Sequence, residues 1–456
     1  MRNKKFKMIF SIITFFLIAL PLTNAGNFIV DPEQKYLEKI LIHDYLEGGW
    51  LDEKNGIKIL HLNGSYYEMG FQHGYLLKEE IETNLRILLP YYEKHGYPYD
   101  KILNVWEIMD DYLPDFYKEE LQGLADGSGM SFEDVAVFNT MPALFNHLFA
   151  CCELSIWGDA TVDGKLYHIR SLDWTLGLKD PETQIPFQDN IVLFVRNPEI
   201  GYASMYPEFA GDITCWSGVN EKGIAVGEDT CLTHDVTYKG ICPAFRMRMV
   251  LDFADNYEKA IEILVSNRTC GTNFVLSDGN VPIGYALDQT ANISYVGKWD
   301  DPVEGTPPFW QIKDAIRRTP MFISPECAAV ELRRVRYDPS GLLPFIWAFT
   351  GKSYMYTTWM HYKALSDEIE KRYGTLDLNN SMALLRDVYN GKTNLWEFLV
   401  SKIAHKWSCL SQFVTCPENG DMLISFAGPN TRACENPVHY FNIFNLLQEE
   451  PPEINS

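Results

Sequence analysis

The chain has 456 residues, a formal net charge of −22 and a hydrophobic content of 46%. An acidic surface repels phosphate groups, so nucleic acid and anionic lipid surfaces are disfavoured as partners. The ten cysteines are too sparse for a disulfide-stapled mini-protein, and the sequence contains neither a CxxC pair nor an HExxH motif. We therefore expect no metal and no cofactor.

The first 25 residues have the pattern of a secretory signal peptide. Four lysines and arginines in residues 2–7 precede an apolar stretch over residues 8–22, and residues 23–25 form a small-residue cleavage site. A membrane anchor is the alternative, but this stretch is shorter than the roughly 20 residues that span a bilayer. Cleavage after Ala25 would change the net charge from −22 to −26. We expect a protein of the extracellular space, the periplasm or an organelle lumen, without stable membrane insertion.

A strand followed by a capped helix opens the ordered part of the sequence. Residues 57–62 read as a short strand, and Ser65 with Glu68 three residues later forms a capping box that predicts a helix start. Gly70 and Gly74 lie four residues apart on one face of this helix, which predicts close approach of another backbone.

Helical spacing continues to Leu88, and residues 101–148 are predicted to be mostly helical. His73 lies in the first of these helices, and we interpret it as a packed or hydrogen-bonded core histidine rather than a catalytic one.

From Cys151 the hydrophobic period changes to that of β-structure. Residues 151–174 read as two strands joined by a turn at Asp163-Gly164, a strong hairpin signal. The end of the second strand returns beside the start of the first, so Cys151 is predicted to neighbour Arg170 and Asp173. A nucleophile beside a cation and an anion is the grouping that holds a reactive thiolate.

The remaining chain alternates between strand and helix patterns. Further strands are predicted over residues 190–196, 202–206, 212–218, 223–228, 273–277, 282–287, 292–296, 411–415 and 422–426. Helical spacing is found over residues 243–266, 360–372 and 379–389. Alternating blocks of this kind favour an α+β domain in which helices cover two antiparallel sheets.

Five segments in order give the chain a family resemblance. They are residues 64–74, 123–127, 151–174, 220–226 and 271–279. On these motifs the chain resembles the acyl-coenzyme A:6-aminopenicillanic acid acyltransferase-like family of cysteine N-terminal-nucleophile (Ntn) hydrolases. It is more distantly similar to choloylglycine hydrolases and acid ceramidase-like amidases.

The resemblance implies an αββα sandwich and a precursor that cuts itself between Ala150 and Cys151. A helical segment over residues 26–150 and a catalytic segment over residues 151–456 would then stay associated. The exported enzyme would hydrolyse or transfer an acyl group at a linear amide bond of a small molecule, through a thioester.

The resemblance also implies roles for four residues. The free α-amine of Cys151 would be the general base for its own thiol. Asp173 would hold the ammonium or the thiol, Arg170 would lower the thiol pKa, and Asn273 would donate its side-chain amide to the oxyanion.

Two departures from the family pattern bear on these roles. The choloylglycine relatives place an asparagine at the end of the strand over residues 223–228, where this chain has Glu228-Asp229. Cys152-Glu153 follows the nucleophile, where the family usually has Ser or Thr. Strand alternation puts Cys152 with core residues, which favours Cys151 as nucleophile, and Cys152 stays the alternative.

A further prediction concerns the second strand of the hairpin. Arg170 and Asp173 differ by three positions, so a regular strand would point them to opposite faces. Both would reach Cys151 only if the strand bends or ends near Leu172.

Three other functions remain open. They are an ester hydrolase of the phospholipase B-like kind on the same site, a catalytically dead binding scaffold, and a papain-type protease, for which Cys215-Trp216 gives only weak support. Cys409 and Cys416 could form a disulfide across a short segment, and free buried cysteines are an equal alternative.

Overall fold

The structure is a computed structural model that describes residues 43–144, 151–332, 354–392 and 409–451. The chain divides into two units, residues 1–44 and 45–456, and the architecture below is that of the second. The predicted signal peptide and Ala150 lie outside the described residues.

A nine-stranded sheet, sheet A, forms one layer of the second unit. In space its order is β1-β2-β5-β6-β7-β8-β9-β10-β11. Its strands are β1 (Trp50–Lys54), β2 (Ile57–Gly64), β5 (Ile191–Pro198), β6 (Ser204–Phe209), β7 (Ser217–Asn220), β8 (Ile224–Thr230), β9 (Thr272–Asp278), β10 (Ile283–Gln289) and β11 (Ser294–Gly297).

A six-stranded sheet, sheet B, forms the second layer, in the order β12-β3-β4-β13-β14-β15. Its strands are β3 (Cys152–Gly158), β4 (Gly164–Leu172), β12 (Ala315–Arg318), β13 (Ser411–Cys416), β14 (Asp421–Phe426) and β15 (His439–Asn442). The strand pairs are antiparallel except that β2 and β5 are parallel. The expectation of purely antiparallel sheets is corrected at this pair, where a long connection through helices and a hairpin lets β5 return in the same direction.

Helices cover the outer face of each sheet. They are α1 (Tyr66–Leu76), α2 (Lys78–Lys94), α3 (Tyr99–Met109), α4 (Asp115–Ser128), α5 (Phe132–Thr140), α6 (Pro243–Phe253), α7 (Tyr257–Val265), α8 (Pro325–Ala329), α9 (Tyr354–Lys371), α10 (Leu378–Tyr389) and α11 (Ile443–Leu446). Helices α1, α6 and α7 pack on sheet A, α9 and α10 pack on sheet B, and strands of the two sheets contact each other between them. The α+β class and the αββα layering are therefore confirmed.

Helix α1 begins at the predicted cap. The Ser65 side chain accepts from the Glu68 backbone N–H, and the Glu68 carboxylate accepts from the Ser65 backbone N–H. A Cβ added to Gly70 would lie 2.0 Å from the Glu120 carbonyl oxygen, and one added to Gly123 would lie 2.0 Å from the Tyr67 carbonyl oxygen. The close backbone approach predicted for this helix is thus its contact with α4.

Some element boundaries differ from the prediction. Residues 212–216 are not part of a strand, because β7 begins only at Ser217. The helical stretch over residues 243–266 is two helices, and the Asn256 side chain caps the second by accepting from the Lys259 N–H. Among the described residues, no helix combines the length and hydropathy needed to cross a membrane.

Candidate active site

The β3–β4 hairpin brings the start of the 151–456 segment to the end of β4. Cys152 pairs with Ser171 and Glu153 pairs with Arg170, so Cys151 lies opposite Leu172. The two strands are antiparallel and adjacent, which confirms the predicted hairpin. Gly164 begins β4 with a φ of 76°, a conformation that glycine adopts without strain.

Cys151 and Cys152 point to opposite sides of sheet B. Cys152 packs with Leu154 and Ile156 in the apolar cluster under α10, whereas Cys151 packs in the other large cluster with Trp174. The predicted alternation is therefore found, and Cys152 occupies a core position.

Arg170 lies beside Cys151 and is 1% exposed. Burial alone would lower the pKa of Arg170, but the charges of Cys151 and of nearby carboxylates raise it well above its ordinary value. Burial raises the pKa of the Cys151 thiol because it disfavours the charged thiolate, and the positive charge of Arg170 opposes that effect. Arg170 is thus placed to favour the thiolate form of Cys151.

Three buried carboxyl groups surround Arg170. Its Nη1 lies 3.6 Å from Asp229 Oδ1 and its Nη2 lies 3.9 Å from Glu228 Oε1. Glu153 reaches towards β8, where a Cβ on Gly227 would lie only 2.4 Å from Glu153 Oε2. The two departures from the family pattern, Cys152-Glu153 and Glu228-Asp229, therefore meet around Arg170.

Burial raises the pKa of each of these three carboxyl groups. Within the described part of the chain, neither oxygen of Glu153 nor of Asp229 has a hydrogen-bond partner. One guanidinium cannot neutralise three carboxylates, so protons must be retained among them near neutral pH.

Asp173 is fully buried on the other side of β4. Its Oδ1 accepts a hydrogen bond from Ser171 Oγ at 3.0 Å, and its Oδ2 accepts one from Tyr389 OH at 2.5 Å. Burial raises the pKa of Asp173 to about 7. Tyr389 OH also lies 3.5 Å from Cys152 Sγ.

Arg170 and Asp173 therefore face opposite sides of the strand, as their spacing predicted. The nucleophile predicted at Cys151 shares its side with Arg170, and Asp173 shares its side with Cys152. Tyr389 was missed by the sequence reasoning, since a tyrosine in an amphipathic helix carries no signal of such a role.

Asn273 lies on β9 and is buried. Its Nδ2 donates to the carbonyl oxygens of Thr319 at 3.1 Å and of Met321 at 2.8 Å. These two bonds use both amide protons, so the side chain has no donor left for an oxyanion in this conformation. The predicted oxyanion role would require the amide to exchange these partners for substrate.

A narrow apolar cavity of about 30 Å³ adjoins the hairpin. Leu172, the residue opposite Cys151, lines it together with Leu410. Aromatic rings form most of the remaining wall, from Phe138, Trp174, Phe187, Phe209 and Trp216. Such a lining suits an apolar group attached to the reacting carbonyl.

His73 is a core residue, as interpreted from the sequence. It is buried, its Nε2 accepts a hydrogen bond from the Gly211 N–H at 2.9 Å, and burial lowers its pKa to about 3. Over the described ranges, no three His, Cys, Asp or Glu side chains are grouped so that they could hold a metal ion.

The sequence profile of the acyl-coenzyme A:6-aminopenicillanic acid acyl-transferase family matches residues 181–286, which are 106 of the 456 residues of the chain. This match confirms the resemblance identified from the motifs. The matched span contains Glu228, Asp229 and Asn273 but not Cys151 or Arg170.

Protein dcd1B of Dictyostelium discoideum is 27% identical over 288 residues, which are 56% of this chain and 55% of that protein. The chain spans between 42% and 61% of the length of the curated relatives it matches.

Two solved structures have TM-scores of 0.37 to this chain. The Caenorhabditis elegans ortholog of N-acylethanolamine-hydrolyzing acid amidase is 12% identical, and the similarity covers 59% of this chain and 93% of that chain. Penicillin V acylase from Agrobacterium tumefaciens is 13% identical, with 64% and 86% covered.

Proposed function

We propose that the chain is an exported cysteine Ntn hydrolase or acyltransferase that acts at linear amide bonds after cleaving itself before Cys151. The observation that carries this proposal is the position of Cys151, buried beside Arg170 and opposite a residue that lines an apolar cavity.

Cleavage of the bond before Cys151 would supply the missing base. A free α-amine has a pKa of about 7.7–8.0 and can take the thiol proton near neutral pH. The thiolate then attacks the amide carbonyl, the C–N bond breaks, and the amine leaves with that proton. Water or an acceptor amine next displaces the thiolate from the thioester.

The precursor would be held inactive by burial. Burial raises the pKa of the Cys151 thiol and disfavours the thiolate, and Arg170 offsets only part of this effect. Self-cleavage would create an ammonium group next to the thiol, and that second positive charge would stabilise the thiolate.

The two fragments would remain associated after cleavage. Residues 26–150 supply β1, β2 and the helices α1–α5, and β2 pairs with β5 of the other fragment over six residue pairs. A shared sheet and a shared core hold them together without a covalent bond.

The cavity favours a small-molecule substrate with an apolar acyl group. Its wall is largely aromatic, and among the described residues that line it Asp212 alone is charged. Because the cavity is small, a long acyl chain would have to displace some of these side chains. The same thioester chemistry would cleave an ester. Assays with both classes of substrate therefore decide whether the leaving group is an amine or an alcohol.

A catalytically inert binding scaffold is the competing function. It is favoured by Asn273, whose amide protons are already donated to two backbone carbonyl oxygens. An inert scaffold would bind acyl amides without turning them over.

The intact mass of the purified protein under denaturing conditions tests the processing step. We expect two species, of which the larger begins at Cys151 and has 306 residues. Cys151→Ala should give one uncut chain, whereas Cys152→Ala should still be cut. A larger fragment that begins at Cys152 would transfer the nucleophile to that residue, and an uncut wild type would contradict self-processing.

Turnover of matched N-acyl amides and acyl esters tests the chemistry. We expect amide hydrolysis by the wild type that Cys151→Ala abolishes, with stronger activity for apolar than for charged acyl groups. Binding without turnover by fully cut protein would favour the inert scaffold instead.

A further inference from the structure

Cys409 and Cys434 lie side by side at the end of sheet B nearest Asp173. Cys409 stands two residues before β13, and Cys434 lies in a short 3-10 helix, Ala433–Glu435, after β14. The Ala433 N–H donates to the Cys409 carbonyl oxygen at 2.9 Å, so the two backbones meet next to the cysteines. Both side chains are buried in one apolar cluster, and they lie close enough for each thiol to shift the pKa of the other.

The sequence left a disulfide between Cys409 and Cys416 and free buried cysteines as equal alternatives, and in the structure all ten cysteines are free. The strand β13 (Ser411–Cys416) alone extends about 16 Å at a rise of roughly 3.3 Å per residue, and it separates Cys416 from Cys409, which precedes the strand. A disulfide requires Cα atoms within about 7 Å.

The backbone of Cys409 has an uncommon conformation. Its φ is 78°, in the left-handed region that side chains with a Cβ seldom adopt. Neighbouring bonds hold it there, since the Leu410 N–H donates to the Leu172 carbonyl and the Ala427 N–H donates to the Leu410 carbonyl, both at 2.8 Å. A non-glycine residue keeps such a conformation where the surrounding structure enforces it, often for a functional reason.

We propose that Cys409 and Cys434 form an intrachain disulfide when the chain folds in an oxidising environment. This inference goes beyond the proposed acyl chemistry and does not depend on it. It depends on the contact of the two thiols and on the presence of a small disulfide, such as oxidised glutathione, as oxidant.

The reaction is a pair of thiol–disulfide exchanges. The Cys434 thiolate attacks one sulfur of the small disulfide and releases one small thiol, which leaves a mixed disulfide on Cys434. The Cys409 thiolate then attacks the Cys434 sulfur and releases the second small thiol. Two protein thiols lose their protons and become one S–S bond, while the small disulfide is reduced to two thiols.

Cys434 is the better first nucleophile. Its interaction with Cys409 lowers its pKa, and the charge of Arg432 acts in the same direction against the effect of burial. Both thiols are buried in the folded protein, so the exchange takes place late in folding, when Cys409, Cys434 and Arg432 already lie together and the small disulfide can still reach them.

The disulfide would brace one side of the candidate active site. Cys409 Sγ lies 3.8 Å from Ser171 Oγ, which donates to Asp173, and the next residue, Leu410, lines the apolar cavity. A covalent link at Cys409 would therefore restrict the end of β4 and the wall of the cavity.

Peptide mapping tests the proposal directly. The full chain is produced through a secretory pathway, and a second sample is refolded from denaturant with reduced and oxidised glutathione. Both are alkylated in denaturant without reductant, digested and analysed by mass spectrometry. We expect a linked pair of peptides that contain Cys409 and Cys434, with Cys416 and Cys327 alkylated as controls. Alkylation of Cys409 and Cys434 in both samples, or linkage of either to another cysteine, would overturn the proposal.

Thermal unfolding gives a second readout. A reductant such as dithiothreitol, present during unfolding and refolding, should lower the midpoint of the wild type and of Cys416→Ser by several degrees. It should leave the midpoint of Cys434→Ser unchanged, since that variant has no such disulfide to lose. An equal effect of the reductant on all three proteins would contradict the proposal.

Discussion

Two buried clusters of charge contact sheet A, one on its helix-covered face and one on the face towards sheet B. In the first, Arg196 and Arg248 each bind both Glu120 and Asp252, with N–O distances between 2.9 and 3.2 Å. Tyr66 and Tyr117 add hydrogen bonds to Asp252, each at 3.0 Å. Two cations meet two anions, so this cluster is balanced in charge and closely hydrogen-bonded.

The second cluster is neither balanced nor closely bonded. Arg170 faces Glu153, Glu228 and Asp229, and the nearest of its contacts with a carboxylate measures 3.6 Å. Its Nε and Nη2 have no hydrogen-bond partner in the part of the chain described here. The same holds for the carboxylate oxygens of Glu153 and Asp229.

The comparison shows that a shifted pKa alone does not mark an active site. Burial raises the pKa of Glu120 to about 8, yet this residue belongs to the balanced cluster that ties α4 to β5 and α6. Among the described residues, six buried polar atoms of the second cluster lack hydrogen-bond partners, against only Arg196 Nε in the first, and such groups are often retained where a function needs them. The first cluster is therefore interpreted as structural, and a role in chemistry stays a prediction for the second.

Removal of an arginine from the balanced cluster should have the largest effect on stability. Arg248→Met leaves Glu120 and Asp252 buried with too little positive charge, which typically destabilises a protein by about 3–5 kcal/mol. Chemical denaturation measures this loss. Lys259→Met, which breaks an exposed pair with Glu262, is the control and should change stability by less than about 1 kcal/mol. Equal effects of the two substitutions would refute the structural role.

The matching substitution in the second cluster should affect activity more than stability. Arg170→Gln removes the positive charge beside Cys151, and the loss of such electrostatic stabilisation typically lowers turnover by about 10²–10³. Arg170 approaches its carboxylates no closer than 3.6 Å, whereas Arg248 is hydrogen-bonded to both of its own, so the unfolding transition should shift less than in Arg248→Met. Turnover near the wild-type level, or a stability loss as large as that of Arg248→Met, would place Arg170 with the structural arginines.

Local signals in the sequence predicted those features of the fold and of the candidate site that depend on residues close together in the chain. The hairpin, the capping box at Ser65 and the glycine contacts of α1 each depend on a few adjacent residues. Period-two alternation also predicted that Cys152 faces the core, and that Arg170 and Asp173 face opposite sides of β4. The catalytic roles of these residues stay predictions, because their geometry alone does not test them.

Contacts between distant segments could not be predicted. Tyr389 meets Asp173 across 216 residues of sequence, and Glu153 meets Asp229 only because the two sheets pack face to face. The partners of Asn273 lie in residues 319–321, a stretch whose sequence pattern was difficult to interpret. Packing of the sheets decides these contacts, and a single sequence carries no direct signal of it.

The substitution Tyr389→Phe should have a smaller effect, and it tests the role of Asp173 independently of Arg170. Tyr389→Phe removes the hydrogen bond to Asp173, and hydrogen bonds to charged groups contribute about 1.5–3 kcal/mol. The pKa of Asp173 should rise further above 7, so the acidic limb of the pH–rate profile should move to higher pH. Tyr362→Phe is the control, since its hydroxyl bonds only weakly to the Trp310 carbonyl, at 3.4 Å. An unmoved profile in Tyr389→Phe would mean that Asp173 does not titrate in the reaction.

The pH dependence of stability isolates Asp173 from the other groups of the site. Burial raises its pKa from 3.8 to about 7, so the folded protein binds this proton more tightly than the unfolded chain does. The resulting stabilisation is fully present below about pH 4 and is lost as the pH rises through 7, with a slope of at most about 1.4 kcal/mol per pH unit.

Asp173→Asn should remove this contribution, so the difference in unfolding free energy between wild type and variant should decrease from pH 4 to pH 7. The buried His73 and His168, whose pKa values burial lowers to about 3, act in the opposite direction, but they do so in both proteins and cancel in the difference. Asp115→Asn, at a residue whose side chain is 94% exposed, provides the baseline. A difference that does not change with pH would show that Asp173 stays ionised in the folded protein. The protons that the folded protein retains near neutral pH would then be held among Glu153, Glu228 and Asp229 around Arg170.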